Sequence, residues 1–365
     1  MILADRVGQC STPFVVRDNG TGRIWKLNNT ADHAAAVAKC PVRYVLEDDL
    51  TTLCADLAYS KGARTLACAD LLRMPATRLW VEWCNKPWQH ALQRYGFPLF
   101  QAGCQWIGRR GALISASPDG RSGMIRTFWS AGEGSDEVLA SSIESYFDLD
   151  TGEGESPDEP DRQEGRQAGQ VRDETIAHAD DVLARCFRFR YEQSWADYYS
   201  NAGLIQADSE KLWRYTLGTI ALDVPMLLSF VLLLLTRSGL PQRASDLERL
   251  NRARSRAGKS ALLDHLIVRA PLLPEYSVQQ QAAVHGSRRT PRLHHVRGHL
   301  MRRGSQLFWR VPHLRGSARA GNVQTRTVVW TFDEARARRS GSHDAYRSIT
   351  DTVMDHATAL SRTLQ

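Results

Sequence analysis

The sequence predicts an α+β protein, and three observations carry that expectation. Between about residues 75 and 130, short apolar runs are separated by the turn signal Ser117-Pro-Asp-Gly120, which reads as an antiparallel sheet. The middle of the chain has helical spacing and ends in an almost continuous apolar run, Val224 to Leu235. The last third gathers arginines, histidines and aromatics between glycine turns, the pattern of a small basic α+β module.

Taken in order, Phe14-Val-Val-Arg17 and Arg23-Ile-Trp-Lys-Leu27 flank Asp18-Asn-Gly-Thr-Gly22, which predicts a β-hairpin because Asn-Gly supplies the positive φ of a tight turn. Ala31 to Lys39 is alanine-rich and reads as helix, as do residues 48–73 with a break near Lys61-Gly62. Leu79-Trp-Val-Glu-Trp83 suits a half-buried strand, and Phe97 to Ser117 and Gly123 to Ser130 continue the sheet. The run from Val224 holds only about a dozen apolar positions, short of the roughly 20 that span a bilayer. With Asp223 and Pro225 at its start it reads as a buried core helix, and no membrane partner is expected.

At 365 residues the chain exceeds one typical domain. The expected division is an α+β domain over 1–130, an acidic disordered linker over 131–172, and a helical segment with the apolar helix over 173–236. A basic module over 237–330 and a polar helical tail over 331–365 follow. The net charge of +7 hides a polarity. Residues 132–182 hold 16 Asp/Glu against 3 Arg, whereas residues 237–330 hold 18 Lys/Arg against 4 Asp/Glu. Such asymmetry points to a polyanion partner or to a basic module shielded by its own acidic segment. The seven cysteines form no Cys-x-x-Cys pair and no secretory signal is read, so reduced thiols in the cytoplasm are expected.

Within the basic module, Leu247 to Gly258 reads as a helix with Arg249, Arg252 and Arg256 on one face, closed by Gly258, and Leu262 to Val268 as a strand. His294 to Leu300 and Leu307 to Val311 read as two strands joined through Arg302-Arg-Gly-Ser305, with His295, Arg297 and His299 on one face. Arginine for phosphate oxygens beside aromatics for stacking is the chemistry of nucleic-acid binding. The candidate contacts are Arg252, Arg256, Lys259, Arg292, Arg297, Arg302, Arg303, Trp309, Arg310 and Arg315. His295, His299 and His313 are the candidates for acid–base work on a phosphodiester, with an arginine stabilising the developing charge. Gly298 between His295 and His299 argues against the helix that a metal pair would need, so neither metal nor cofactor is expected. Ala257-Gly-Lys-Ser260 lacks the upstream glycine of a phosphate-binding loop, and no dinucleotide fingerprint or Gly-x-Ser-x-Gly elbow is present.

The residues Asn251-Arg-Ala-Arg254, Gly258-Lys259, Leu262, Asp264-His265, Pro291-Arg292, His294, Arg297-Gly298-His299, Trp309 and Gly316 resemble a family of phage and prophage proteins. Trp80-Val-Glu-Trp83 is similar to an element nearer the N-terminus of those proteins. The likeness covers about 240–330 well and 75–130 loosely. This chain has Val296 and Met301 where similar proteins tend to have Arg, and Ala261 where they tend to have Pro. The resemblance implies a phage or mobile-element origin and a bacterial cytoplasm. Three functions are expected from the residues: nucleic-acid binding (RNA or DNA) first, then a metal-independent ribonuclease or phosphodiesterase, then a protein-binding inhibitor of a host factor.

Overall fold

The computed structural model describes residues 1–17, 22–59, 70–95, 107–131, 137–150, 186–201, 222–237, 239–271, 292–296, 299–310, 313–315 and 317–322. The chain divides into a larger unit (Met1–Phe100, Gln105–Leu272 and His299–Val311) and a smaller one (Gln101–Cys104, Leu273–Gly298 and Pro312–Gln365). The architecture is mixed α+β.

The larger unit opens with helix α1 (Leu3–Gln9) and the antiparallel hairpin of β1 (Phe14–Arg17) and β2 (Ile24–Leu27). Helix α2 (Thr30–Ala38) starts at a capping box. The Asn29 side chain accepts from the Ala31 N–H at 3.0 Å, and Asp32 accepts from the Asn29 N–H at 2.9 Å. Next come β3 (Val42–Leu46), α3 (Asp48–Tyr59), and β4 (Arg78–Cys84), which pairs parallel to β3. Helix α4 (Asn85–Arg94) is followed by the antiparallel strands β5 (Ile107–Ala116), β6 (Ser122–Ala131), β7 (Val138–Asp148) and β8 (Phe187–Tyr191). Helices α5 (Gln193–Asn201) and α6 (Asp223–Leu234), strand β9 (Gln242–Ala244), helix α7 (Glu248–Arg256) and strand β10 (Leu266–Val268) follow. One eight-stranded sheet results, in the order β8-β7-β6-β5-β4-β3-β10-β9.

Several expectations change. The antiparallel sheet expected over 75–130 is only the β4-β5-β6 part of this mixed sheet, which β10 joins parallel to β3. Strand β7 begins inside the expected acidic linker, and β8 lies in the expected helical middle. The charge count over that window concealed β7 because its Glu144 is an internal partner, ion-paired with the buried Arg126 on β6. Residues 132–136 and 151–172 of the expected linker, and the expected tail over 331–365, lie outside the described residues. The strand read over Leu262 to Val268 shortens to β10. The Leu262 and Leu263 N–H groups donate instead to the Asn251 and Asp5 side chains, both at 2.7 Å.

Strand β4 is buried on both faces rather than half-buried. Leu79, Val81 and Trp83 enter the main core with residues of α3, α4 and α6, while Trp80 packs with Leu3, Val7, Val37 and Phe128 on the other side. Gly111 on β5 permits this. A Cβ at that position would meet the Trp80 indole at 2.4 Å, a contact that would displace the ring from its core. The apolar run forms α6, buried from Asp223 to Leu233. Among the described residues no helix is long and apolar enough to cross a membrane.

Candidate nucleic-acid interface

Helix α7 stands at the surface with no buried residue, and it is fastened to the segment that follows it. Asn251 Nδ2 donates to the Leu262 carbonyl at 3.0 Å, and Asn251 Oδ1 accepts from the Leu262 N–H at 2.7 Å. Arg254 Nε donates to the Ser260 carbonyl at 2.7 Å. Gly258 has φ +66° and ends the helix, with its N–H on Ser255 O at 3.0 Å and that of Lys259 on Arg254 O at 2.9 Å. Asn251, Arg254 and Gly258 therefore hold the helix to the segment that returns to the sheet. Lys259 follows a helix C-terminus, whereas a phosphate-binding loop precedes an N-terminus. Ala257-Gly-Lys-Ser260 is a helix cap.

With Asn251 and Arg254 engaged inward, the 3.6-residue repeat puts Arg249, Arg252 and Arg256 on the opposite side. All three are exposed, as is Arg243 on the edge strand β9. Arg249 to Arg256 spans about 10 Å along the axis. Glu248 flanks this line and pairs with Arg252 at 2.8 Å, an exposed i,i+4 contact that leaves the guanidinium accessible. Beside α7 runs a groove of about 960 Å³ whose lining includes Arg43, Arg252, Ser255, Asp264 and His265.

Strands β12 (His299–Arg303) and β13 (Gln306–Arg310) form a tight hairpin turned at Gly304, φ +61°. Its register opposes Leu300 to Trp309 and Arg302 to Leu307, so these four share one face. Leu300, Leu307 and Trp309 pack on the main core from that face. The other face carries His299, Met301, Arg303, Phe308 and Arg310, with the Arg303 guanidinium 5.9 Å from the Phe308 ring centroid. Arg302, at the end of the inner face, makes a bidentate contact with Asp70 at 2.9 and 2.7 Å. Trp309, expected as a stacking platform, is thus a core-facing residue, and Phe308 is the ring presented outward.

The continuous strand expected over His294 to Leu300 is corrected. The chain leaves β11 (Arg292–Val296) before it enters β12, and β12 pairs with β13. In the smaller unit, β11 pairs antiparallel with β14 (His313–Arg315) and parallel with β15 (Ser317–Asn322). His294 stands opposite Arg315, His295 opposite Leu314 and Val296 opposite His313. The single face of His295, Arg297 and His299 is therefore not built from one strand. His295, His313, Arg292 and Arg315 lie on the strands of the smaller unit, and Arg297 lies outside the described residues. Of the three histidines, the larger unit holds only His299, which is exposed.

Among the described residues no group of three His, Cys, Asp or Glu is placed to hold a metal ion. The described cysteines, Cys10, Cys40, Cys54, Cys84 and Cys186, are free thiols. Arg243, at the edge position of β9, is not among the candidate contacts read from the sequence, and the hairpin register presents Phe308 rather than Trp309 outward. No family model matches the chain, and neither do any curated proteins or solved structures.

Proposed function

We propose that the protein binds nucleic acid through the outward faces of α7 and of the β12–β13 hairpin. One observation carries this reading: Arg249, Arg252 and Arg256 form an exposed line on a helix that Asn251 and Arg254 fasten from its other side. Three like charges along about 10 Å repel one another and gain most from a partner with closely spaced negative charge, which a phosphate backbone supplies at roughly 3.4 Å per residue of strand axis. Arg303 and Arg310 supply further cations on the hairpin, where Phe308 offers a ring for a base. The phage-like motif supports a role for a phage or mobile-element protein in a bacterial cytoplasm.

The test is the salt dependence of binding to single- and double-stranded RNA and DNA by the full chain. The slope of log affinity against log salt should flatten by roughly 0.9 for each of Arg249, Arg252 and Arg256 changed to Ala. Stability should stay within about 0.5 kcal/mol per substitution, since these side chains are exposed. A triple variant that binds every nucleic acid as the wild type does, or a wild type that binds none, overturns the reading.

A further inference from the structure

Where the hairpin turn meets the end of α6, a cavity of about 390 Å³ lies within the larger unit. Arg237 N–H donates to the Leu307 carbonyl at 3.0 Å and fastens the two elements at this point. Leu71, Leu235 and Leu307 supply an apolar lining, Ser305 and Gln306 polar groups, and Arg73 and Arg237 two guanidinium groups. Both arginines are exposed, and among the described residues neither side chain makes a hydrogen bond or an ion pair. Asp70, the acid nearest in sequence to Arg73, already accepts from the two terminal guanidinium nitrogens of Arg302 at 2.9 and 2.7 Å. Two cations thus border a leucine-lined space, and no anion among the described residues pairs with them.

We infer that this cavity is a binding site for a phosphomonoester of mononucleotide size. A phosphate monoester carries about −1.5 to −2 charges at neutral pH and three acceptor oxygens, which match two guanidinium forks, whereas a single carboxylate matches one. The leucines suit the face of a base or other flat body, and Gln306 suits its polar edge. The volume sits at the lower end of the roughly 300–1,000 Å³ range of small-molecule sites. The same chemistry is offered by a free mononucleotide and by the terminal phosphate of a strand. The inference does not rest on the nucleic-acid reading, because no residue of α7 lines the cavity.

Calorimetric titration of the full chain with adenosine 5′-monophosphate tests it, with adenosine and succinate as controls. The nucleotide should bind at least tenfold more tightly than either control, and Arg73→Gln and Arg237→Gln should each weaken it by roughly tenfold or more. Ser305→Trp fills the space while keeping both cations, so it should abolish binding at an unchanged melting temperature. A 5′-phosphorylated oligonucleotide is compared with its unphosphorylated twin in wild type and Ser305→Trp. A preference for the phosphorylated strand that Ser305→Trp removes assigns the site to strand ends, and nucleotide binding without that preference assigns it to free nucleotides. Absence of both, equal binding of succinate, or nucleotide binding that survives Ser305→Trp overturns the inference. The α7 triple variant should bind the nucleotide as the wild type does, which separates failure here from failure of the nucleic-acid reading.

Discussion

Arg110 on β5 and Asp223 at the start of α6 form an ion pair at 3.1 Å with both side chains out of solvent. Arg110 Nε also donates to Asn85 Oδ1 at 2.8 Å, and its guanidinium lies 4.3 Å from the Trp88 ring centroid. Burial outweighs the pull of Arg110 and pushes the Asp223 carboxyl up to about 6. The folded state therefore holds a proton that the unfolded chain, with its carboxyl near 3.9, releases. This stabilises the fold below about pH 4 and the contribution is lost as pH rises through about 6, a swing on the order of 3 kcal/mol. Denaturant titrations at pH 4, 5 and 7 should show a wild-type minus Asp223→Asn difference that declines over this window. Parallel profiles would remove Asp223 as the titrating group. Arg110→Met should cost about 3–5 kcal/mol at pH 7 and less at pH 5, where Asp223 is largely neutral.

Glu82 on β4 is fully buried and holds the N-terminal helix by its carboxylate. Its oxygens accept from Leu3 N–H at 3.1 Å, Ala4 N–H at 2.9 Å, Trp80 Nε1–H at 3.0 Å and Arg109 Nε–H at 2.9 Å. A negative charge at a helix N-terminus meets unpaired amides and the favourable end of the dipole. Glu82→Ala leaves these donors without an acceptor and should destabilise the fold by about 3–5 kcal/mol. Hydrogen exchange at Leu3 and Ala4 should accelerate well beyond that in the β5–β6 core. Uniform acceleration across the sheet would show that α1 does not depend on this anchor.

Asn251→Ala should cost about 1–3 kcal/mol, since it leaves the Leu262 N–H and carbonyl without their partners. It should also flatten the salt slope of nucleic-acid binding, although Asn251 lies on the inner side of α7. Faster exchange at Leu262 with unaltered binding would separate the fastening of α7 from recognition.

The same residue shows what the sequence made legible. Helix α7, its glycine cap and the arginine face follow from local spacing, because capping and the 3.6-residue repeat are properties of neighbours in the chain. The apolar length of α6 likewise predicts burial. The sheet order does not follow, because β10 joins β3 parallel across more than 200 residues of sequence, from Leu46 to Leu266. The acidic window misled because net charge does not show that Glu144 is paired internally with Arg126. On the hairpin, the alternation separated Trp309 from Phe308 correctly, but only contact with the core identifies which face is buried. Arg73 and Arg237 stand far apart in sequence and carry no spacing signal for the cavity they border.

His299→Gln should leave stability within about 0.5 kcal/mol, because His299 lies exposed on β12 opposite Arg310. Binding should persist, and no RNA cleavage is expected from wild type or variant under the binding reading. Wild-type cleavage that falls by roughly 10²-fold in the variant would establish acid–base chemistry at this position.

Trp309 and Phe308 should give opposite results despite being neighbours. Trp309 packs on the main core beside Leu300 and Leu307, so Trp309→Ala removes buried surface and should destabilise the larger unit by about 2–4 kcal/mol. Its effect on binding, measured well below the melting temperature, should be small. Phe308 faces outward with Arg303 and Arg310, so Phe308→Ala should change stability by less than about 1 kcal/mol. Loss of its ring should weaken single-stranded binding by about 1–3 kcal/mol if a base stacks there. Thermal melts and single-strand titrations of the two variants settle the matter. A destabilised Phe308→Ala with unaltered binding, or a stable Trp309→Ala with impaired binding, would mean that the hairpin presents the opposite face to nucleic acid.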